Sequence, residues 1–441
     1  MKFFLKEKFS ITNLIALWVF IPFCFSTAEE ITIATVNNSD MIIMQKLSTE
    51  WSKKTGHKLN WVILEENALR QRVTIDIATK GGQFDIITIG SYEAPIWGKR
   101  GWLTPLDDFG DDYHYEDIFE SVRSGLSANG SLYAVPFYAE SSFTFYRHDL
   151  FDKAGINMPD QPTYDEIRKY AKSLHDPKNN VYGICLRGKA GWGENMAFIS
   201  TLINTYGGRW FDMEWESQIN TKPWSDALND YVSLLKNYGP PEPSSNGHNE
   251  NRALFASGKC AMWIDATSAA GFIYNPKESV VADKTSFVKA PVAVTEKGSG
   301  WFWAWALSIP ETSRKKKAAK SFVKWATSKE YVQLVGNTEG WVSAPPGTRK
   351  STYETQSYID LAPFASITKQ AIISADPSSA TLEPVPYTGV QYVAIPEFQG
   401  LGTFVGQQFS AALAGTISVE KALLRSHKQA KREIRRAGYK K

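Results

Sequence analysis

Between residues 31 and 89 the sequence alternates extended and helical patterns, and this constrains the fold more than any other feature. Residues 31–36 (ITIATV) form a short apolar run of strand type. Asp40 is placed to cap a helix whose apolar stripe is Met44, Leu47 and Trp51 and whose stop is Gly56. Leu59, Trp61 and Ile63 alternate as in a half-buried strand. Residues 67–80 read as a helix stopped by Gly81 and Gly82, and residues 84–89 (FDIITI) as a continuous apolar strand of the kind buried in parallel sheets. Strand–helix–strand–helix–strand implies an α/β protein with a doubly wound, parallel sheet. Such sheets bind ligands in the crevice beyond the carboxyl ends of their strands. That rule selects three polar loops, 37–40 (NNSD), 65–67 (EEN) and 90–93 (GSYE).

A second unit follows. Thr163 and Glu166 make a capping box ahead of Ile167, Tyr170, Ala171 and Leu174, with Pro177 closing the helix. Residues 181–186 (VYGICL) read as a buried strand with Arg187 at its end. The glycine-rich loop 188–195 (GKAGWGEN) then leads into a helix. It has neither nucleotide-binding glycine spacing, so no nucleotide cofactor is expected. Residues 237–249 are a surface loop by composition, and residues 418–436 a terminal helix.

The ends of the chain are processing and surface features. Lys2, Lys6 and Lys8 precede an apolar run over 14–25 and small residues at 26–28, the pattern of a secretory leader cut after Ala28. No other segment approaches the roughly 20 apolar residues of a membrane span. Phe23 stands where lipid attachment at Cys24 would want a small residue, so a soluble, exported product is expected. Cys185 and Cys260 then remain, either as a disulfide that export permits or as two buried free thiols. No CxxC or HxxxH occurs, and no metal site is expected. Residues 421–441 carry nine Lys or Arg against Glu433 and residues 1–28 a net +2, which leaves residues 29–420 with a net charge of −7. A basic C-terminus of this kind can mean nucleic acid or anionic lipid, but the tail reads as a solvated helix and frayed end, with no nucleic-acid partner.

Several segments resemble the bacterial solute-binding proteins of ABC importers, in the group containing maltose-binding protein. They are 132–140 (LYAVPFYAE), running into 145–151 (FYRHDLF), then 254–264 (LFASGKCAMWI), 301–310 (WFWAWALSIP) and the stretch from Gly340 and Trp341. Cys260 departs from that group's usual small residue. Within the group the sequence is similar to the mannitol- and sorbitol-binding members, through 92–103 (YEAPIWGKRGWL), 191–196 (GWGENM), 207–212 (GGRWFD) and 395–399 (IPEFQ). The resemblance implies a two-lobed periplasmic-binding-protein fold with interleaved crossovers and a hinge. Lobe one would span 29–140 and 306–350, lobe two 141–305 and 351–425, and the basic tail 426–441. It implies a periplasmic, monomeric receptor that captures a polyol or related sugar without a cofactor and delivers it to the importer's membrane subunits.

Buried hydroxyls need partners, and carboxylates and guanidinium groups bond them more strongly than neutral groups do. Indole faces cover the C–H side of such a ligand. The candidate site residues are therefore Glu93 and Asp40 in the strand-end loops and Glu140 at the first crossover. Arg187, Trp192, Glu194 and Asn195 come from the glycine-rich loop. Trp192, between two glycines, is expected as an exposed stacking face. Asp265 ends a strand, Trp301 and Trp303 are chosen from an alternating stripe that includes Trp305, and Trp341 borders a proline-rich turn. Trp210 and Tyr387 complete the set. Each has a plainer structural alternative: a hinge carboxylate for Glu140, an ion-pair partner for Arg187, a cap for Asp265, core packing for the tryptophan stripe. Cleft carboxylates and indoles would also suit a carbohydrate hydrolase, which needs two acids suitably spaced across a glycosidic bond.

Overall fold

The computed structural model describes residues 28–440. The expected leader, apart from Ala28, lies outside them, and so does Cys24. Eight strands carry the architecture: β1 (Glu30–Val36), β2 (Lys58–Leu64), β3 (Ile86–Gly90), β4 (Val135–Glu140), β5 (Ser142–Arg147), β6 (Met262–Ala266), β7 (Thr285–Lys289) and β8 (Trp303–Ser308). The first sheet has the order β2-β1-β3-β8-β4. β1 runs parallel to β2 and β3, while β8 is antiparallel to β3 and β4. The parallel, helix-crossed arrangement expected from residues 31–89 thus forms one side of the sheet. A strand returning from far along the chain makes the other side mixed.

Two details of the helices differ from expectation. Asn38, not Asp40, caps the helix Ser39–Thr55, its Oδ1 accepting from the Met41 amide at 2.9 Å. The helix therefore starts before Asp40, whose carboxyl sits in the first turn. The helix Glu66–Ala78 starts one residue before expectation, capped by the Glu65 carboxylate. Gly56 does end its helix, in the left-handed conformation that glycine adopts without strain.

The second sheet, β6-β5-β7, is antiparallel throughout. The expected strand over 181–186 does not form a ladder. It runs beside β6 through isolated parallel bridges, Tyr182 to Cys260 and Cys185 to Trp263. This juxtaposition brings Cys185 and Cys260 together as a disulfide, with Cα atoms 5.9 Å apart. The open choice between a bridge and free thiols resolves to the bridge.

Ser141 alone separates β4 in the first sheet from β5 in the second, so one crossover is almost without slack. Residues 290–302 make the return crossing into β8. The expected boundary at 305/306 therefore falls inside a strand of the first sheet. The expected boundary at 425/426 falls inside the terminal helix Val419–Ala437. Ala422, Leu423, Ser426, Ala430 and Ile434 of that helix are buried, and it packs on the helices Phe398–Leu413 and Lys222–Tyr238. The basic tail is thus an ordered, docked helix as far as Ala437 and not a frayed end.

Candidate binding cleft

A cavity of about 270 Å³ lies between the two sheets, at the carboxyl ends of β1 and β2 and beside the first crossover. It is smaller than the roughly 300–1,000 Å³ of pockets for drug-sized ligands, so it suits a compact guest. The first lobe contributes Asn38, Glu65, Glu66, Arg70 and Tyr138 together with Trp303 and Trp305. The second contributes Arg187, Lys189, Trp192, Glu194, His248 and Trp301, while Glu140 stands at the crossover between them.

On the first wall, strand geometry does the positioning. Trp303 and Trp305 lie two residues apart on β8, so both project from the same sheet face. Register pairs Trp305 with Gly90 and Trp303 with Glu140. A Cβ at position 90 would come within 1.9 Å of the Trp303 ring, which makes glycine necessary for the indole to lie across the strand end. Arg70 places its guanidinium carbon 4.0 Å from the Trp192 ring centroid, 5.0 Å from that of Trp303 and 4.7 Å from that of Trp305. Glu66 and Glu93 pair with it from the other side. Burial opposes this charge, but the two carboxylates outweigh it and hold Arg70 above its ordinary pKa. A desolvated cation over indole faces gains on the order of 1–2 kcal/mol per good contact.

The second wall is a loop held by a buried ion network. Arg187 donates to both oxygens of Asp265, at 2.9 and 2.5 Å, and to the Gly193 carbonyl at 2.8 Å. Burial favours the neutral form of Asp265, yet Arg187 and His248 outweigh it and hold the carboxyl far below its usual range. Burial pushes the pKa of His248 down against the pull of Asp265. His248 Nδ1 lies 2.9 Å from Asp265. The same nitrogen lies 3.3 Å from an Arg187 guanidinium nitrogen, so the ring is tied into the ion pair. Asn195 fastens the glycine-rich loop, accepting from the Gly191 amide at 3.2 Å and donating to the Gly406 carbonyl at 2.9 Å.

Two cavity carboxyls are displaced toward their neutral forms. Burial pushes Glu140 up to about 8 despite a hydrogen bond from the Ser268 hydroxyl. Burial, with the nearby Glu66 charge, raises Glu194 to about 7. The cleft thus offers carboxyl groups that accept or donate, guanidinium and ammonium donors, a phenol at Tyr138 and an imidazole at His248. That mixture matches neutral hydroxyl groups.

Of the sequence candidates, Glu140, Arg187, Trp192, Glu194, Trp301 and Trp303 line this cavity. Glu93, Asn195 and Asp265 are buried behind it and hold Arg70, the loop and Arg187 in place. Four candidates lie elsewhere. Asp40 borders a separate groove with Arg252, where burial raises its pKa to about 7. Trp210 is core, edge-on to Trp224 and Phe398. The Tyr387 hydroxyl accepts from the Trp210 amide. Trp341 packs over Gly336. Trp192 departs in another way: it is 2% exposed, and Arg70 occupies the ring face expected to be open for stacking. Sequence reasoning missed Arg70, Tyr138, Lys189, His248 and Trp305. Trp305 was legible, since it shares the alternation of Trp303. Arg70 and His248 sit within helices with no local motif to single them out.

Two sheet-based lobes joined by short crossovers, with a polar cavity walled by both, define a receptor that encloses a small solute. Residues 37–333 match the family of bacterial extracellular solute-binding proteins, and the chain belongs to it. It is 54% identical over 420 residues to a mannitol-binding protein of Pseudomonas aeruginosa, covering 95% of this chain and 96% of that one. It superposes on the crystal structure of an ABC transporter solute-binding protein from Agrobacterium vitis with bound D-mannitol. The TM-score is 0.93 at 57% identity, over 94% of this chain and 100% of that one. The fold is shared with a ribitol-bound solute-binding protein from Agrobacterium radiobacter, at a TM-score of 0.80 and 23% identity over 91% and 98% of the chains.

Proposed function

We propose that this chain is the periplasmic receptor of an ABC importer. It captures a linear sugar alcohol of the mannitol or sorbitol type and delivers it, chemically unchanged, to the membrane subunits. The observation that carries this reading is the cavity itself. Carboxyl, guanidinium, phenol and imidazole groups line a compact space together with four indoles, so a chain with a hydroxyl on every carbon finds both donors and acceptors there. An unpaired buried hydroxyl costs about 1–3 kcal/mol, which makes that matching the basis of selectivity. Glu140, Glu194, Arg187, Tyr138 and His248 are the ligand-facing groups in this reading. Glu93, Asn195 and Asp265 act through the groups they hold.

Capture proceeds by hinge closure about Ser141 and the 290–302 crossing. Binding favours the closed form because only there do groups from both lobes reach the guest. The strength of the homology to a mannitol-binding protein and to a mannitol-bound structure supports the polyol class. The decisive experiment is calorimetric titration of the purified chain with mannitol, sorbitol, arabitol and common hexoses. The expected result is saturable one-to-one binding of a hexitol, stronger than that of any cyclic hexose. Absence of heat with every polyol would overturn the reading. Incubation with glycosides should give no turnover, and release of free sugar would favour a hydrolase instead.

A further inference from the structure

The terminal helix carries a feature that solute capture does not use. Lys421, Arg425, Lys428, Arg432 and Arg435 recur at intervals of four, three, four and three residues, which sets all five on one stripe. The stripe runs for roughly 21 Å along the helix. Lys431 and Arg436 flank it, and all seven side chains are exposed. Among the described residues, Lys421, Arg425, Lys428, Arg435 and Arg436 have no acidic partner within 4.0 Å. Lys431 reaches Glu216 only at 3.9 Å, and Arg432 reaches Glu433 only at 3.9 Å. The opposite face of the helix is buried against the second lobe through Leu423, Ala430 and Ile434, so the stripe is fixed facing outward.

Like charges three and four residues apart destabilise a helix, and among the described residues only Glu216 and Glu433 come within 4.0 Å of the seven cations. The rest of the chain from residue 29 to residue 420 is acidic, at −7, so this helix is one pole of a strongly asymmetric charge distribution. Leu424, 43% exposed, lies within the same face and adds an apolar contact. No helix among the described residues is long and apolar enough to cross a membrane. The fitting counterpart is a flat, anionic surface that is contacted without insertion.

We propose that this helix docks the receptor reversibly on membranes rich in anionic phospholipid, with the cationic stripe against the headgroup phosphates. The receptor would thereby be concentrated and oriented at the membrane that carries its importer. The inference relies on the exported location and is independent of which solute is bound.

The test is co-sedimentation of the purified chain with vesicles. Vesicles of phosphatidylglycerol mixed with phosphatidylcholine should retain it at low salt, pure phosphatidylcholine should not, and added salt should release it. The variant Lys428→Glu/Arg432→Glu/Arg435→Glu changes only exposed residues. Its partitioning should fall by more than about tenfold, since each cation near an anionic surface is worth roughly fivefold. Lys428→Arg, which keeps the charge, should partition as the unaltered chain does. Mannitol titration of both variants reports folding and solute binding separately. Equal retention by both vesicle types, equal retention of the triple variant, or preferential capture by duplex DNA in competition would each overturn the proposal.

Discussion

Each wall of the cleft has a buried arginine paired with a buried carboxylate, and the two pairs serve different ends. Arg70, with Glu93 and Glu66, fills the space among three indoles. Its wall is otherwise set by strand register, so the ion pair completes a surface the sheet already defines. Arg187, with Asp265, reaches the carbonyl of Gly193 and lies 5.2 Å from the Trp301 ring. Its wall is a glycine-rich loop with no ladder of its own, so there the ion pair defines the surface. A loop can be made as definite as a strand when a fully buried charge pair fixes one end and an asparagine the other.

This contrast predicts its largest effect at Asp265. Asp265→Ala leaves Arg187 buried without its counter-charge and should cost about 3–5 kcal/mol of stability. Urea unfolding measures that loss, and calorimetry should find hexitol binding abolished with it. Retention of both would mean that the loop is held by something other than the charge pair. The conservative Asp265→Asn keeps an acceptor for Arg187 and should fall between the two.

Acidity separates the walls next. Glu140 and Glu194 titrate near 8 and 7 in the folded protein, above the ordinary carboxyl value. The folded state therefore holds protons that the unfolded chain releases. Their contribution to stability is fully present below about pH 4.5 and declines by several kcal/mol as pH rises toward 8. Unfolding midpoints compared at pH 5 and pH 8 test the sign. Glu194→Gln, which stays neutral, should flatten the lower part of that decline. A midpoint from these groups that instead rises with pH would show that they are ionised throughout.

Direct loss of a ligand partner comes third. Glu140→Ala should weaken hexitol binding by about 1–3 kcal/mol while leaving the unfolding midpoint nearly unchanged at neutral pH. Unaltered affinity in the same titration would remove Glu140 from the ligand-facing set.

The same contrast explains what was readable from sequence. The parallel strands β1, β2 and β3, their helices and the polar loops at their ends followed from periodicity and glycine stops, because those signals are local. Arg187, Trp192 and Glu194 could be placed at the cavity because a glycine-rich loop after an apolar run stands out, although Trp192 is buried there and not the open face expected. The position of β8 between β3 and β4, the docking of the terminal helix and the cage around Arg70 depend on contacts across hundreds of residues. No local pattern encodes these. Trp210 and Tyr387 were misjudged because an aromatic residue two positions from a glycine looks the same in sequence whether it faces a guest or the core. Asp40 was misplaced by two residues of capping, since Asn38 competes for the same role and wins through its bond to the Met41 amide.

The smallest effect concerns what joins the two walls directly. Lys189 on the loop of the second lobe meets Glu65, the cap of the first-lobe helix, at 2.8 Å. Asn67 Nδ2 donates to the Ala190 carbonyl beside it at 3.2 Å. These contacts cross the cleft mouth, so they exist only when the lobes are together. Both charged partners are partly exposed, at 27% and 44%. Water therefore screens the attraction, and the pair should be worth no more than about 1 kcal/mol. Lys189→Ala should then leave overall stability unaltered and speed ligand release by up to about fivefold, with the association rate little changed. Stopped-flow tryptophan fluorescence during hexitol displacement resolves the two rates. Faster release that disappears at high salt would fit a screened latch across the mouth. Release unaffected by both the substitution and salt would mean that closure is held by the buried groups alone, the contact of Arg70 with Trp192 among them.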